Sequence, residues 1–341
     1  MAVNRKVNVL DIGDIFYDFS RGTVDLTATE TDRAREAAND LGWELWDLGY
    51  AGEHLPGLFD RPTMYGSFGR RTKTRPLNDI DLLVPFSADT LHTSPHRRDP
   101  FGLLVTLPDH HAFRPFLGMP DKGYELLNSS DLLSMLKRAA SRIHGLERAE
   151  IKGNGQAVSI WQRNVAWKYD LVPALPIRQG GLLQHYLIPN GVGEWWRTRP
   201  ETDQDRLEQA EVRHGTNVRA LVRVLKFWNA LPGRQRIGSY LLESLILSVF
   251  EGEGYISMFE LHLDCEKFFE QAAKRIFEPT PDPKGLGPAL DVGLNWEQRL
   301  RWSDRADMAA YYLRRAREEH DHDMAKEYLI DAFGPDLGRY V

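Results

Sequence analysis

Two aspartates one residue apart interrupt an apolar run, Asp79-Ile80-Asp81-Leu82-Leu83-Val84. Side chains alternate between the two faces of a strand. Asn78, Ile80, Leu82 and Val84 therefore share one face, and Asp79, Asp81 and Leu83 share the other. Roughly 7 Å separates the two carboxylates along such a strand. Two anions held that close repel, and burial penalises both, unless a cation lies between them. The strand is then either an edge whose aspartates face water, or the wall of a metal site. Magnesium suits carboxylate oxygens and keeps positions open for phosphate.

A third carboxylate favours the metal reading. In VAWKYDLVPAL, Asp170 breaks a second apolar strand, with Ala166 and Lys168 on its own face. If the two strands are neighbours, Asp170 joins Asp79 and Asp81 around a pair of metal ions, the arrangement that displaces pyrophosphate. The alternative for Asp170 is a salt-bridged strand residue. Eleven residues separate Gly66-Ser67 from Asp79. Glycine lets the backbone approach an anion, and Ser67 can begin a short helix, FGRRTKT, with free N–H groups. A plain turn is the alternative.

The rest of the chain frames that site. The 341 residues suffice for one large domain or two lobes. A net charge of −6 gives no global basic field for duplex nucleic acid, although a local basic groove remains open. One cysteine, Cys265, excludes a disulfide scaffold and cysteine-rich zinc sites. The start, MAVNRKVNVLDIGD, lacks the apolar core of a signal peptide, and no apolar run approaches the roughly 18 residues of a membrane span. A soluble, cytoplasmic protein without membrane contact is expected.

Thr27 and Glu30 have capping-box spacing ahead of a helix reaching Tyr50. DIDLLVPF reads as a strand that loses its central place at Pro85. SADTLHTSPHRRDP reads as a polar loop, and Asn128 to Asp131 caps a helix. QAVSIWQ and VAWKYDLVPAL read as two strands joined by a short turn, the second ended by Pro173 and Pro176. His92, His96, His110 and His111 are expected to be loop histidines, since no cysteine accompanies them and their spacing is not that of a zinc site. Beyond residue 200 the chain reads as mostly helical. Its last helix is expected to be capped by Ser303 and to stop at Gly334-Pro335. Lys226 lies at the edge of an apolar helix face and needs water or an anion. Ser239 reads as the cap of SYLLESLIL, and Tyr240 as either a core aromatic or an accessible ring.

In order along the chain, GSFGRRTKT before DIDLLV, then YDLVPA, YLIPNGVGEWWRTRP, LVRVLKFWN and GSYLLESLIL resemble the bacterial CD-NTases. These are the cGAS/DncV-like members of the polymerase-β-like nucleotidyltransferases, which make cyclic oligonucleotide signals in CBASS anti-phage defence. The resemblance spans nearly the whole chain from the first helix on. It implies an α+β fold: a nucleotidyltransferase lobe with a mixed sheet and a spine helix over 1–195, and a helical lobe over 196–341 closing the cleft. It implies that Asp79 and Asp81 ligate both of two Mg²⁺ ions, with Mn²⁺ as a substitute, and that Asp170 ligates the one at the attacking hydroxyl. It implies triphosphate contacts from Gly66, Ser67, Lys226 and Ser239, and base stacking on Tyr240. NTPs are the implied substrates, and an effector is reached through a cyclic di- or trinucleotide. The loop DPKGLGPALDV departs from the Asn-rich form expected near Leu290-Asp291. A linear oligonucleotide synthetase, an RNA-tailing enzyme and a silent nucleotide-binding scaffold are the alternatives.

Within the family that the chain resembles, animal cyclic GMP-AMP synthase is switched on by duplex DNA along a basic surface that includes its first long helix. Here Ala28 to Tyr50 carries six acids against two bases. Such a face repels phosphates. Added duplex DNA is expected to leave product formation unchanged, and a several-fold rise in a synthesis assay would contradict this.

Overall fold

The computed structural model describes residues 11–341 apart from Glu253. The first ten residues, where the expected first lobe and the leaderless start begin, lie outside the described residues. The chain opens with α1 (Ile12–Phe19), a π-helical turn (Ser20–Val24) and α2 (Ala28–Ala51), then β1 (Thr63–Tyr65), α3 (Gly66–Gly69) and β2 (Asp79–Pro85). There follow β3 (His92–Pro95), β4 (Leu103–Leu107), α4 (Arg114–Leu117), β5 (Glu125–Leu126) and α5 (Ser129–Ala140). The sheet is completed by β6 (Glu150–Gly153), β7 (Val158–Trp161), β8 (Lys168–Gln179), β9 (Leu182–Pro189) and β10 (Trp195–Thr198). Six helices follow: α6 (Pro200–His214), α7 (Val218–Ala230), α8 (Ser239–Phe250), α9 (Leu261–Arg275), α10 (Trp296–Glu318) and α11 (His322–Phe333).

The fold is α+β. The mixed sheet has the order β1-β2-β8-β9-β10-β4-β3, with β7 also on β8, β6 on β7 and β5 on β4. β2 and β8 run parallel, and their register sets Asp79 beside Lys168 and Asp81 beside Asp170. Ile80, Leu82 and Val84 point to the opposite face, into a core shared with Ala38 and Leu45 of α2 and Leu132 and Leu136 of α5. Beyond the aspartates, on their own face, Leu83, Val172, Ala174 and Tyr186 form a small apolar floor.

The remaining helices build a second core around Trp228, Phe269 and Trp302. The N-terminal segment belongs to it, because Phe16 and Phe19 of α1 pack against Phe333 of α11. The sequence reading found no helix in that segment. The Thr27–Glu30 capping box forms as expected. Several expectations are corrected. β8 runs on through Pro173 and Pro176 to Gln179. Each proline falls where one edge of β8 has no partner: β7 pairs only as far as Leu171, and β2 only as far as Ala174. The missing N–H therefore costs no ladder bond. The polar stretch at 87–100 contains β3, an edge strand whose four residues are all exposed, so no apolar alternation marked it. Of the expected loop histidines, His92 lies in β3. His96 pairs with Glu194 at 3.0 Å, and His111 is buried against Phe113. Ser303 lies inside α10, donating to the Ala273 carbonyl at 2.7 Å, while Asn295 caps that helix. The last helix divides at residues 319–321, where Asp321 caps α11.

Phe16 is fully buried. Phe16→Ala is expected to cost about 3–5 kcal/mol in urea unfolding. A loss below about 1 kcal/mol would mean that α1 is not docked in the helical core.

Candidate active site

Asp79, Asp81 and Asp170 each offer a carboxylate oxygen, and these atoms lie within 4.8 Å of one another. The parallel register produces this, since paired residues of neighbouring strands share a face. Asp79 accepts from Lys73 Nζ at 2.6 Å, and Asp170 from Lys168 Nζ at 2.5 Å and from the Ser159 hydroxyl of β7. Asp81 has no such lysine partner among the described residues. Burial, then the charges of Asp79 and Asp170, push its carboxyl up to about 6. Three carboxylate oxygens at this spacing, one of them under-compensated, form a donor set that suits a hard divalent cation.

Gly66 closes the site from above. Its φ is +63°, and a Cβ there would lie 2.1 Å from Asp81 Oδ2. Only glycine fits between this backbone and that carboxylate. The turn helix is shorter than expected, ending at Gly69 with Tyr65 as its N-cap, and the residues after it form a basic loop. Ser67 is half-buried, and its hydroxyl makes no hydrogen bond among the described residues. The loop is held from α7, where Arg219 Nε donates to the Arg70 carbonyl at 2.9 Å and Arg223 Nη1 to the Arg71 carbonyl at 2.9 Å.

Lys226 also comes from α7 and is 9% exposed, so it does not reach bulk water. Its Nζ lies 3.5 Å from Thr72 Oγ1 and 4.0 Å from Glu243 Oε2 of α8. Burial pushes its ammonium down to about 8, opposed by Glu243. Ser239 is the first residue of α8 and is exposed. The N-cap is Gly238, so the expected capping role is not realised. Tyr240 is part-buried rather than a core residue, and its hydroxyl bonds Asp203 of α6. Lys284, from the loop between α9 and α10, sits 4.1 Å over its ring and pairs with Asp203 and Asp282, both at 3.3 Å. A cavity of about 390 Å³ opens beside Gly66, lined by Tyr65, Arg70, Leu83, Tyr186 and the acidic face of α6.

Arg70, Lys73, Lys168, Ser159, Glu243 and Lys284 were not singled out from the sequence. Lys168 carried a readable signal, being two residues before Asp170 on the same strand face. Glu243 carried another, as a lone carboxylate within LLESLIL.

A carboxylate held up at about 6 destabilises the fold at neutral pH. Only well below the ordinary value of 3.8, near about pH 2.5, is Asp81 protonated both folded and unfolded, and there it costs nothing. As pH rises toward 6 the unfolded form gains charge first, and stability falls. In metal-free buffer at pH 8, Asp81→Asn is expected to stabilise by about 3 kcal/mol, the gain falling below about 1 kcal/mol at pH 4. Thermal melts at the two pH values check this.

No family model matches the chain. A probable cyclic nucleotide synthase of Bacillus cereus strain VD146 is 31% identical over 296 residues, covering 85% of this chain and 86% of that protein. Among solved structures, CdnC of Escherichia coli MS115-1 with ATP superposes with a TM-score of 0.71 at 15% identity, covering 95% of this chain and 98% of that one. Vibrio cholerae DncV, a cyclic AMP-GMP synthase solved with the linear intermediate pppA(3′,5′)pG, gives 0.63 at 12% identity, covering 96% and 97%. The two structures share the fold of this chain, and the Bacillus relative carries the family: the chain belongs to the bacterial CD-NTases, the DncV-like cyclic nucleotide synthases.

Proposed function

We propose that this chain condenses ribonucleoside triphosphates, with release of pyrophosphate, into a cyclic di- or trinucleotide messenger that activates an anti-phage effector. The observation that carries this reading is the gathering of Asp79, Asp81 and Asp170 within 4.8 Å, directly beneath Gly66. The reaction occupies the cleft between the sheet lobe, divided from the helical lobe near residue 195, and the helices that follow. Two Mg²⁺ ions, with Mn²⁺ as a substitute, are the ions we assign to the three carboxylates; when bound they supply Lewis-acid polarisation of the α-phosphate and acidify the attacking hydroxyl.

The chain's own groups do the rest. Gly66 and Ser67 turn backbone N–H groups and a hydroxyl toward the donor triphosphate. Lys226 and Arg70 place positive charge where the pyrophosphate leaves, and Ser239 adds a hydroxyl from the start of α8. Tyr240 offers its ring to a base. Ser159 and Lys168 fix the carboxylate of Asp170, the group nearest the acceptor ribose, so that it receives the hydroxyl in one orientation. Lys73 and Lys168 neutralise Asp79 and Asp170 until the cations arrive, which limits repulsion in the free enzyme. The linear dinucleotide then turns in the cleft, and a second transfer closes the ring, directly or after one extension.

Incubation with the four NTPs and Mg²⁺ or Mn²⁺ is expected to give a phosphatase-resistant cyclic product, identified by mass spectrometry. The double variant Asp79→Ala, Asp81→Ala is expected to lose at least ~10³-fold in rate while keeping its circular dichroism spectrum. Products that are wholly phosphatase-sensitive would identify a linear synthetase instead. Unimpaired synthesis by the double variant would refute the site.

A further inference from the structure

Glu243 lies in the most apolar part of α8, between Leu242 and the buried Leu245 and Ile246, and is only 3% exposed. A carboxylate in that position is costly unless it is compensated. Compensation comes from three groups. Arg70 Nε donates to Oε1 at 2.8 Å, Thr72 Oγ1 to Oε2 at 3.1 Å, and Lys226 Nζ stands 4.0 Å from Oε2. Arg70 and Thr72 belong to the basic loop after α3, and Lys226 to α7. One buried carboxylate thus joins the helical lobe to the loop beside the aspartates.

We propose that Glu243 is a positioning residue of the nucleotide site, holding Lys226 and Arg70 at the triphosphate end and keeping the buried lysine charged. The proposal rests on the nucleotide-binding reading above. The groups facing Lys226 are Glu243 from α8, Arg70 and Lys73 from the loop, and Asp79 from β2. Lys73 is already paired with Asp79 at 2.6 Å. Glu243 is then the carboxylate, among the described residues, that serves both remaining cations. A mere strut between lobes would need only the Arg70 contact. The approach of Lys226 to the same carboxylate is what a strut does not require.

The pH consequence follows from the sign. Burial holds the Lys226 ammonium down to about 8, so its proton is lost as pH rises through that value. Glu243 opposes the loss, and its removal moves the loss to lower pH.

The test uses the full chain and two readouts. The first is the ionisation of Lys226 in the nucleotide-free protein, followed by the ¹³Cε shift of labelled lysine. The second is MgATP affinity by calorimetry from pH 6 to pH 9, in wild type, Glu243→Gln, Lys226→Arg and the double variant. Wild type is expected to lose affinity above about pH 8. Glu243→Gln is expected to bind near wild-type strength at pH 6 and ~10-fold more weakly at pH 7.5. Adding Lys226→Arg is expected to remove that pH dependence. A Glu243→Gln variant with unchanged Lys226 titration, or one weakened equally at every pH, would overturn the proposal. If the glutamine variant does not fold, Glu243→Asp, which draws the carboxylate back from Lys226, takes its place, and an unchanged Lys226 titration in that variant overturns the proposal. Absence of MgATP binding by wild type at every pH would instead overturn the nucleotide-site reading, and this proposal with it.

Discussion

The parallel register of β2 and β8 is the constraint on which the site depends. A slip of one residue would send Asp170 to the other face, into the apolar core beneath. The register is fixed by what lies on that opposite face, where Ile80, Leu82, Tyr169 and Leu171 are buried under α2 and α5. Hydrophobic burial on one side of the sheet thus pins a cluster of like charges on the other. The cluster is unfavourable in itself. Lys73, Lys168 and Ser159 offset part of the repulsion, and what they leave falls on Asp81. Strain of this kind at a site is tolerated where a ligand relieves it.

Other groups of the proposed site come from the helical core. Lys226, Ser239 and Tyr240 sit on helices of the second core, whereas the carboxylates and Gly66 sit on the sheet. The two halves meet through polar contacts: Arg70 with Glu243, Arg219 with the Arg70 carbonyl, and Arg223 with Asp25 at 2.6 Å and with the Arg71 carbonyl. All four grip the short basic loop between α3 and β2 or the segment entering α2. Such contacts are directional and individually weaker than a continuous apolar interface. The loop that follows Gly66-Ser67 is therefore where the relative placement of triphosphate cations and carboxylates is set.

What the sequence made legible follows from period and burial. β2, β7 and β8 could be read because apolar alternation is strong there, and Asp79, Asp81 and Asp170 were visible as breaks in it. α2 could be read from its cap and α7 from its stripe. α6 was not singled out, because Leu207 is its only buried apolar side chain and nothing else marks a face. α1 escaped because its apolar face is short and is completed by Phe227 and Phe333, distant in sequence. Ser303 misled because a serine inside a helix can return its hydroxyl to a neighbouring carbonyl as readily as it caps. The partners of the aspartates depend on pairings of strands and loops that no local pattern records, although Lys168 shared a face with Asp170 from the start.

In the reaction proposed above, substrate choice resides away from the aspartates. The carboxylates and Gly66 would act there on phosphates and ribose, which all NTPs share, so they could not distinguish bases. Discrimination needs side chains that meet a base edge, and the structure offers them at two places. One is the 390 Å³ cavity between Tyr65, Tyr186 and the acids of α6. The other is Tyr240, whose ring lies under Lys284 while its hydroxyl is held by Asp203. Both places share α6, the helix joining the two cores. Lys284 pairs with Asp203 of α6 and with Asp282 of its own loop, so a base stacked on Tyr240, as proposed, would meet an environment set by α6 and the α9–α10 loop together. In that loop Lys284 is tied to α6. The proposed chemistry thus depends on the β2–β8 register, and the proposed choice of base on contacts between α6 and the α9–α10 loop.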